Sequence, residues 1–191
     1  MNATEADAAW LRLREQALLL VDGRGELLDA AREISRAMIA AGLEVAVIGG
    51  IAVVLHGHAR ATKDIDVFVR GPLEPVAQSL AEIGFLHDPA RREFVRADLP
   101  VHLVDARRLG VDPGPAVEIE GVTTVSLIDL MAMKLRSGTE SLLRAQDLAD
   151  VIGLARRHGL GGAFAAKLPK DVRPAFRRII RALASEPPSS D

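Results

Sequence analysis

Apolar positions along this chain recur with two periods, and the switches between them mark out its elements. From Asp7 to Val21 the spacing is that of an amphipathic helix, which "DGRG" at Asp22 to Gly25 then punctuates. In the next predicted helix Leu27, Ala31, Ile34, Met38 and Ala41 share one face, Arg32, Glu33 and Arg36 turn elsewhere, and Gly42 is the expected stop. A β-branched run, "EVAVIGG", predicts a strand closed by two glycines; a short helix, "IAVVLHG", and a second strand, "DIDVFVRG", follow. Leu73, Val76, Ala77, Leu80 and Ile83 return to the helical period. The runs "REFVRA" and "PVHLVDA" are joined by so few residues that they are expected to pair as a hairpin. Short strands around Val117 to Ile119 and Val122 to Val125 lead to Ser126, the expected cap of a helix with Asp129 in its first turn. From there the pattern is helical to about Ala184, broken at "HGLGG" and "LPKDVRP", and the tail "SEPPSSD" lacks the apolar content to order itself.

This order of elements predicts an α+β chain, a mixed sheet flanked by helices with a helical C-terminal part. The expected divisions are N-terminal helices over residues 1–42, a core over 43–136, a helical part over 137–184 and a frayed tail over 185–191. A length of 191 residues, 49% of them hydrophobic, suffices for one substantial core. Only 3% are aromatic, so aliphatic packing supplies the burial and no aromatic platform for stacking bases is expected. A net charge of -2 gives no broad attraction to nucleic acid and leaves room only for a local basic face. The absence of cysteine excludes disulfides, thiolate zinc sites and a cysteine nucleophile, and makes the cytoplasm the expected compartment. No stretch reads as a leader or spans a bilayer, so no membrane partner is expected.

Candidate chemistry concentrates in "VIGGIAVVLHGHARATKDIDVFV", Val47 to Val69. On a strand Asp64 and Asp66 project side by side, and two carboxylates that close repel each other unless a cation stands between them. Magnesium, bound through one or two carboxylates and substrate phosphates, is suited to that place. Gly49 and Gly50 allow backbone to approach a ligand that a Cβ would block, and the helix after them directs N–H groups at an anion such as a triphosphate.

The pair of glycines, a spacer of thirteen residues before Asp64, and an apolar residue after each aspartate resemble the signature of the nucleotidyltransferase superfamily that includes DNA polymerase β. The flanking "HGHARATKDID", with His56, Gly57, Arg60 and Thr62, is similar to the small bacterial members, among them those of abortive infection and toxin–antitoxin systems. A weaker likeness continues through "VTTVSLIDLMAMKLRSGTESLLRAQDLADVIGL", so that roughly Glu44 to Leu154 is covered. The resemblance implies transfer of a nucleoside monophosphate from an NTP, with ATP expected, to an acceptor hydroxyl on RNA, a protein or a small molecule. It implies Mg²⁺ or Mn²⁺ on Asp64 and Asp66, nucleotide contacts from Gly49, Gly50 and Thr62, and a cognate toxin or antitoxin as partner; Arg60 is a candidate nucleotide contact that reads equally as orienting Asp64 or capping the loop.

In the family a third carboxylate on a later strand completes a two-metal site. In "LPVHLVDARR" two alignments are open, placing either His102 or Asp105 at that position. Alternation puts the two on opposite faces of a strand, and His102 is slightly favoured because Asp105 would share its face with Val101 and Leu103. A histidine there points to a one-metal site, a histidine general base, or a catalytically silent domain that keeps the fold as a binding module. Lys134, one of only four lysines among 24 basic residues, and Arg144 are candidate phosphate partners. Lys134 reads equally as a snorkelling lysine, and Arg144, Asp147 and Asp150 as one side of a pocket or a solvated, salt-bridged face. His56 and His58, with no cysteine and no third histidine near, are expected to stay outside any zinc site.

Overall fold

The computed structural model describes residues 25–106 and 112–185; the helix expected over Asp7 to Val21 and the tail after Ser185 lie outside the described residues. Two compact units meet in sequence between Ser126 and Leu127.

The first unit contains α1 (Glu26–Ala40), β1 (Val45–Ile48), α2 (Gly49–Leu55), β2 (Ile65–Val69), α3 (Leu73–Glu82), β3 (Leu86–Asp88), β4 (Glu93–Arg96), β5 (Leu99–Asp105), β6 (Val117–Ile119) and β7 (Val122–Thr124). Its seven strands form one sheet in the order β3-β4-β5-β2-β1-β7-β6. The sheet is mixed, because β2 runs antiparallel to β1 but parallel to β5, and β1 runs parallel to β7. The chain is therefore α+β, as its pattern predicts. One strand escaped that pattern: β3 spans three residues and shows no alternation, and it exists because β4 pairs with it.

Side-chain alternation separates the two faces of the sheet. Val45 and Val47 of β1, Ile65, Val67 and Val69 of β2 and Val101 of β5 join a buried cluster with Leu27, Leu28, Ile34 and Met38 of α1 and Val76 and Leu80 of α3. Each such side chain, fully buried, contributes about 1.5–3 kcal/mol. Ala46, Ile48, Asp66, Phe68 and His102 consequently point to the opposite face. Gly42, in the left-handed region at φ 67°, ends α1 and lets the chain turn into β1. The β4–β5 hairpin turns on Ala97 and Asp98, both at positive φ, a two-residue connection that fixes the register of the two strands.

The second unit is helical: α4 (Leu127–Glu140), a 3-10 turn at Leu142–Arg144, α5 (Ala145–Arg157), a 3-10 segment at Gly162–Lys167 and α6 (Arg173–Ala184). The breaks fall where "HGLGG" and "LPKDVRP" predict them. Gly138 of α4 lets α5 approach closely, since a Cβ there would stand 2.7 Å from Leu148 Cγ. Among the described residues no helix is long and apolar enough to cross a membrane.

Candidate active site

Asp66 sits within β2 and Asp64 immediately precedes it. Both reach the same neighbourhood: His102 Nδ1 lies 3.3 Å from Asp66 Oδ1 and 3.9 Å from Asp64 Oδ2. The parallel ladder explains the contact, because Asp66 and His102 are direct register partners on β2 and β5. Asp105 pairs instead with Val69, three residues farther along β5 and on the other face, roughly 10 Å away in strand rise. Of the two open alignments, the structure brings His102 to the aspartates and leaves Asp105 away from them.

A fourth side chain, which the sequence reading missed, completes the group. Glu93 opens β4, and the β4–β5 register continues to set it across from His102. His102 Nε2 is 3.2 Å from Glu93 Oε2, and the glutamate side chain is only 12% exposed. Asp66, His102 and Glu93 thus form a row across three neighbouring strands. The signal that would have found Glu93 is the length of the hairpin turn: two residues at Ala97 and Asp98 align 93 with 102 by counting. Three carboxylates meet one imidazole here, and Arg91 Nη1 stands 3.5 Å from the other oxygen of Glu93, Oε1. Two like charges as close as those of Asp64 and Asp66 are eased by a cation nearby.

The glycines abut the acids. Gly49 adopts φ 68°, and a Cβ on it would overlap Asp66 Oδ2; a Cβ on Gly50 would overlap the Thr62 hydroxyl and come within 3.3 Å of Arg60 Cζ. The absence of side chains at these positions therefore makes room first for the protein's own Asp66 and Thr62. Thr62 is 4% exposed and its Oγ1 donates to Asp64 Oδ1 at 3.1 Å, holding that carboxylate in place. Arg60 donates from Nε to the carbonyl of Ala61 at 3.0 Å. His56 contacts the Val125 carbonyl oxygen through Nε2 at 2.9 Å, tying the end of α2 to the segment after β7.

Two hollows lie elsewhere in the first unit, one of about 620 Å³ lined by Ala46, Phe68, Pro113 and Thr123 and one of about 840 Å³ beside Glu33, Arg36 and Arg96. The carboxylate group lines neither of them. Phe68 nevertheless shares the sheet face of Asp66, so the first hollow opens on the same side as the acids.

Lys134 belongs to the second unit and is engaged there. Its Nζ lies 2.6 Å from Asp147 Oδ1 and 2.9 Å from Asp150 Oδ2, and it is 8% exposed. Ser137 Oγ donates to Asp147 Oδ2 at 2.5 Å and Gln146 Nε2 to Asp150 Oδ1 at 3.0 Å. The solvated-face reading of Asp147 and Asp150 is corrected: both are buried, Asp150 completely. Arg144, two-thirds exposed, stands 3.9 Å from Asp147 Oδ2 at the margin of this cluster.

As donors, Asp64 and Asp66 offer two carboxylates, a pair that suits one divalent cation completed by water and substrate phosphates and falls a carboxylate short of a two-ion site. Among the described residues no three histidine, cysteine or acidic side chains are already drawn together as a ligand shell.

No family model and no curated protein matches the sequence. Among solved structures, the chain is similar to an antigenic nucleotidyltransferase-like protein from Paracoccidioides brasiliensis, with TM-score 0.55 and 15% identity over 82% of this chain and 88% of that one. It is also similar to ANT(2″)-Ia in complex with adenylyl-2″-tobramycin, with TM-score 0.54 and 13% identity over 82% of this chain and 98% of that one. The solution structure of the same antibiotic-resistance factor gives TM-score 0.50 and 13% identity over 82% and 94%. At these identities the likeness is one of fold: the chain has a nucleotidyltransferase-like α+β fold with a helical C-terminal part.

Proposed function

We propose that this protein transfers a nucleoside monophosphate from an NTP, ATP first among them, to an acceptor hydroxyl, with Asp64 and Asp66 holding Mg²⁺ or Mn²⁺ and Gly49–Gly50 lying against the triphosphate. The observation that carries this reading is the contact of Gly49 with Asp66, which makes the glycine turn and the acidic pair one site. The fold likeness to a protein solved with an adenylylated antibiotic supports the same class of chemistry.

A bound cation would act as a Lewis acid on the phosphoryl oxygens and offset the charge of the triphosphate. The chain's own residues supply the rest. Thr62 fixes Asp64, and the missing Cβ of Gly49 lets Asp66 stand beside the turn. With its Nε2–H donating to Glu93 Oε2, His102 keeps the Nδ1 lone pair on the aspartate side as the base for the acceptor hydroxyl. The acceptor oxygen bonds to the α-phosphorus, the bond to pyrophosphate breaks, and the hydroxyl proton passes to the imidazole. Arg60, beside Gly50, supplies a guanidinium for a phosphate.

The test is to incubate the protein with labelled NTPs and a cell extract and to ask which fraction becomes labelled. Asp64→Ala should abolish labelling with the fold intact, and labelling that survives the substitution refutes the assignment. His102 in the third position also supports a second reading, a silent domain that keeps the fold for binding. Thermal shift with Mg²⁺, ATP and both separates the two: no stabilisation by any combination favours the silent domain.

A further inference from the structure

The near-neutral charge of the chain hides a strong segregation. Residues 167–181 carry six basic side chains, Lys167, Lys170, Arg173, Arg177, Arg178 and Arg181, against the single acid Asp171. Asp171 is already engaged, receiving Arg136 Nε at 2.6 Å and Nη2 at 3.1 Å. Arg173 turns inward and donates to the carbonyls of Leu168 and Ala166. The other five are exposed. On α6 Arg177, Arg178 and Arg181 fall within an arc of about 100°. Among the described residues no acidic side chain forms an ion pair with any of these three.

The opposite face of α6 is apolar and turned inward: Phe176 is fully buried and packs on Phe164, with ring centroids 5.5 Å apart, and Ile179, Ile180 and Leu183 are half-buried. This separates two kinds of anionic partner. A helix that binds a lipid surface inserts exposed apolar side chains beneath its basic ones, and α6 has no exposed large hydrophobic residue. What it presents is charge alone, arginines that can donate to phosphate oxygens along a polyanion.

We propose that the arginine face of α6, with Lys167 and Lys170, docks the phosphodiester backbone of an RNA. The choice of RNA rests on the nucleotidyl-transfer reading, since an RNA brings acceptor hydroxyls at its 2′ positions and 3′ end. Binding is electrostatic and reads little sequence. Five engaged cations give a slope of log affinity against log salt of at most about -4.5 on a duplex, up to about a 500-fold loss between about 50 and 200 mM salt.

The experiment measures fluorescence anisotropy of a labelled RNA hairpin across that salt range, with wild type and the triple variant Arg177→Gln, Arg178→Gln, Arg181→Gln. The variant positions are exposed, and circular dichroism verifies the fold. The triple variant is expected to bind more weakly at low salt, its slope shallower by about 2–3. Equal binding by wild type and the triple variant overturns the proposal. So does preference for a DNA hairpin of the same sequence, or for phosphatidylserine vesicles. The two readings fail separately. RNA binding without transfer to any acceptor removes the enzyme and leaves the docking face, and transfer to a non-RNA acceptor without RNA binding does the reverse.

Discussion

Replacing Lys134 by methionine should destabilise the protein far more than it alters any nucleotide contact. The ammonium sits between Asp147 and Asp150 at 2.6 and 2.9 Å, with Asp150 wholly buried. Methionine fills a similar volume but takes the ammonium away from two buried carboxylates. Removing one partner of a buried ion pair costs about 3–5 kcal/mol, a large share of the roughly 5–15 kcal/mol that holds a domain together. Arg144 offsets little, because it is exposed and 3.9 Å from its nearest acid oxygen. With a urea m value of about 2 kcal/mol per molar, the midpoint should fall by about 1.5–2.5 M in equilibrium unfolding followed by circular dichroism. A second variant checks the cause. Adding Asp147→Asn and Asp150→Asn to Lys134→Met removes the two carboxylate charges while keeping acceptors for Ser137 and Gln146, and should recover most of the loss. If Lys134→Met unfolds within about 0.5 kcal/mol of wild type, or the triple variant is no better than the single one, the buried-triad reasoning is wrong. A lysine reserved for phosphate would give the opposite pattern, unchanged stability and weakened NTP binding.

Gly49→Ala must place a Cβ at φ 68° on top of Asp66 Oδ2, so it should cost at least about 1–2 kcal/mol and abolish nucleotide transfer; a variant with wild-type melting and activity would refute the packing argument. His102→Asp puts a carboxylate between Asp66 and Glu93, so it should lower the melting temperature without cation and enlarge the rise produced by Mg²⁺; equal Mg²⁺ responses in variant and wild type would count against a cation on this face. The hydrogen bond and charge of Arg96 hold the Glu33 carboxyl below its ordinary value. A depressed carboxylate contributes stability above its unfolded pKa and loses it as pH falls through the folded value, so the difference between wild type and Glu33→Gln should be present at pH 7 and shrink below about pH 4.5. A difference that grows on acidification would reverse the assignment.

Much of the fold was legible because its signals are local. The period of apolar residues in Leu27 to Met38 and in Leu73 to Leu80, the β-branched runs at Val45 and Ile65, and the stops at Gly42 and "HGLGG" involve residues near one another in the chain, where backbone geometry alone relates spacing to shape. β3 was not legible, since a three-residue strand acquires its conformation from the partner it pairs with. The expected hairpin formed from β4 and β5, yet its consequence for Glu93 depended on a turn of two residues that no glycine or asparagine announced.

The sequence by itself determined the order of elements, the α+β class, and the closeness in the chain of a glycine pair to two aspartates, because helical and strand periods are properties of contiguous residues. Tertiary structure decided what surrounds those aspartates. Strand register made His102 rather than Asp105 the neighbour of Asp66 and added Glu93 to the row, and the packing of α5 on α4 gave Lys134 two buried acids as partners. The physical reason is common to all three: alternation and helical pitch fix which face a side chain takes, but its neighbours follow only when distant segments pair, and a shift of one residue in register would exchange every one of them.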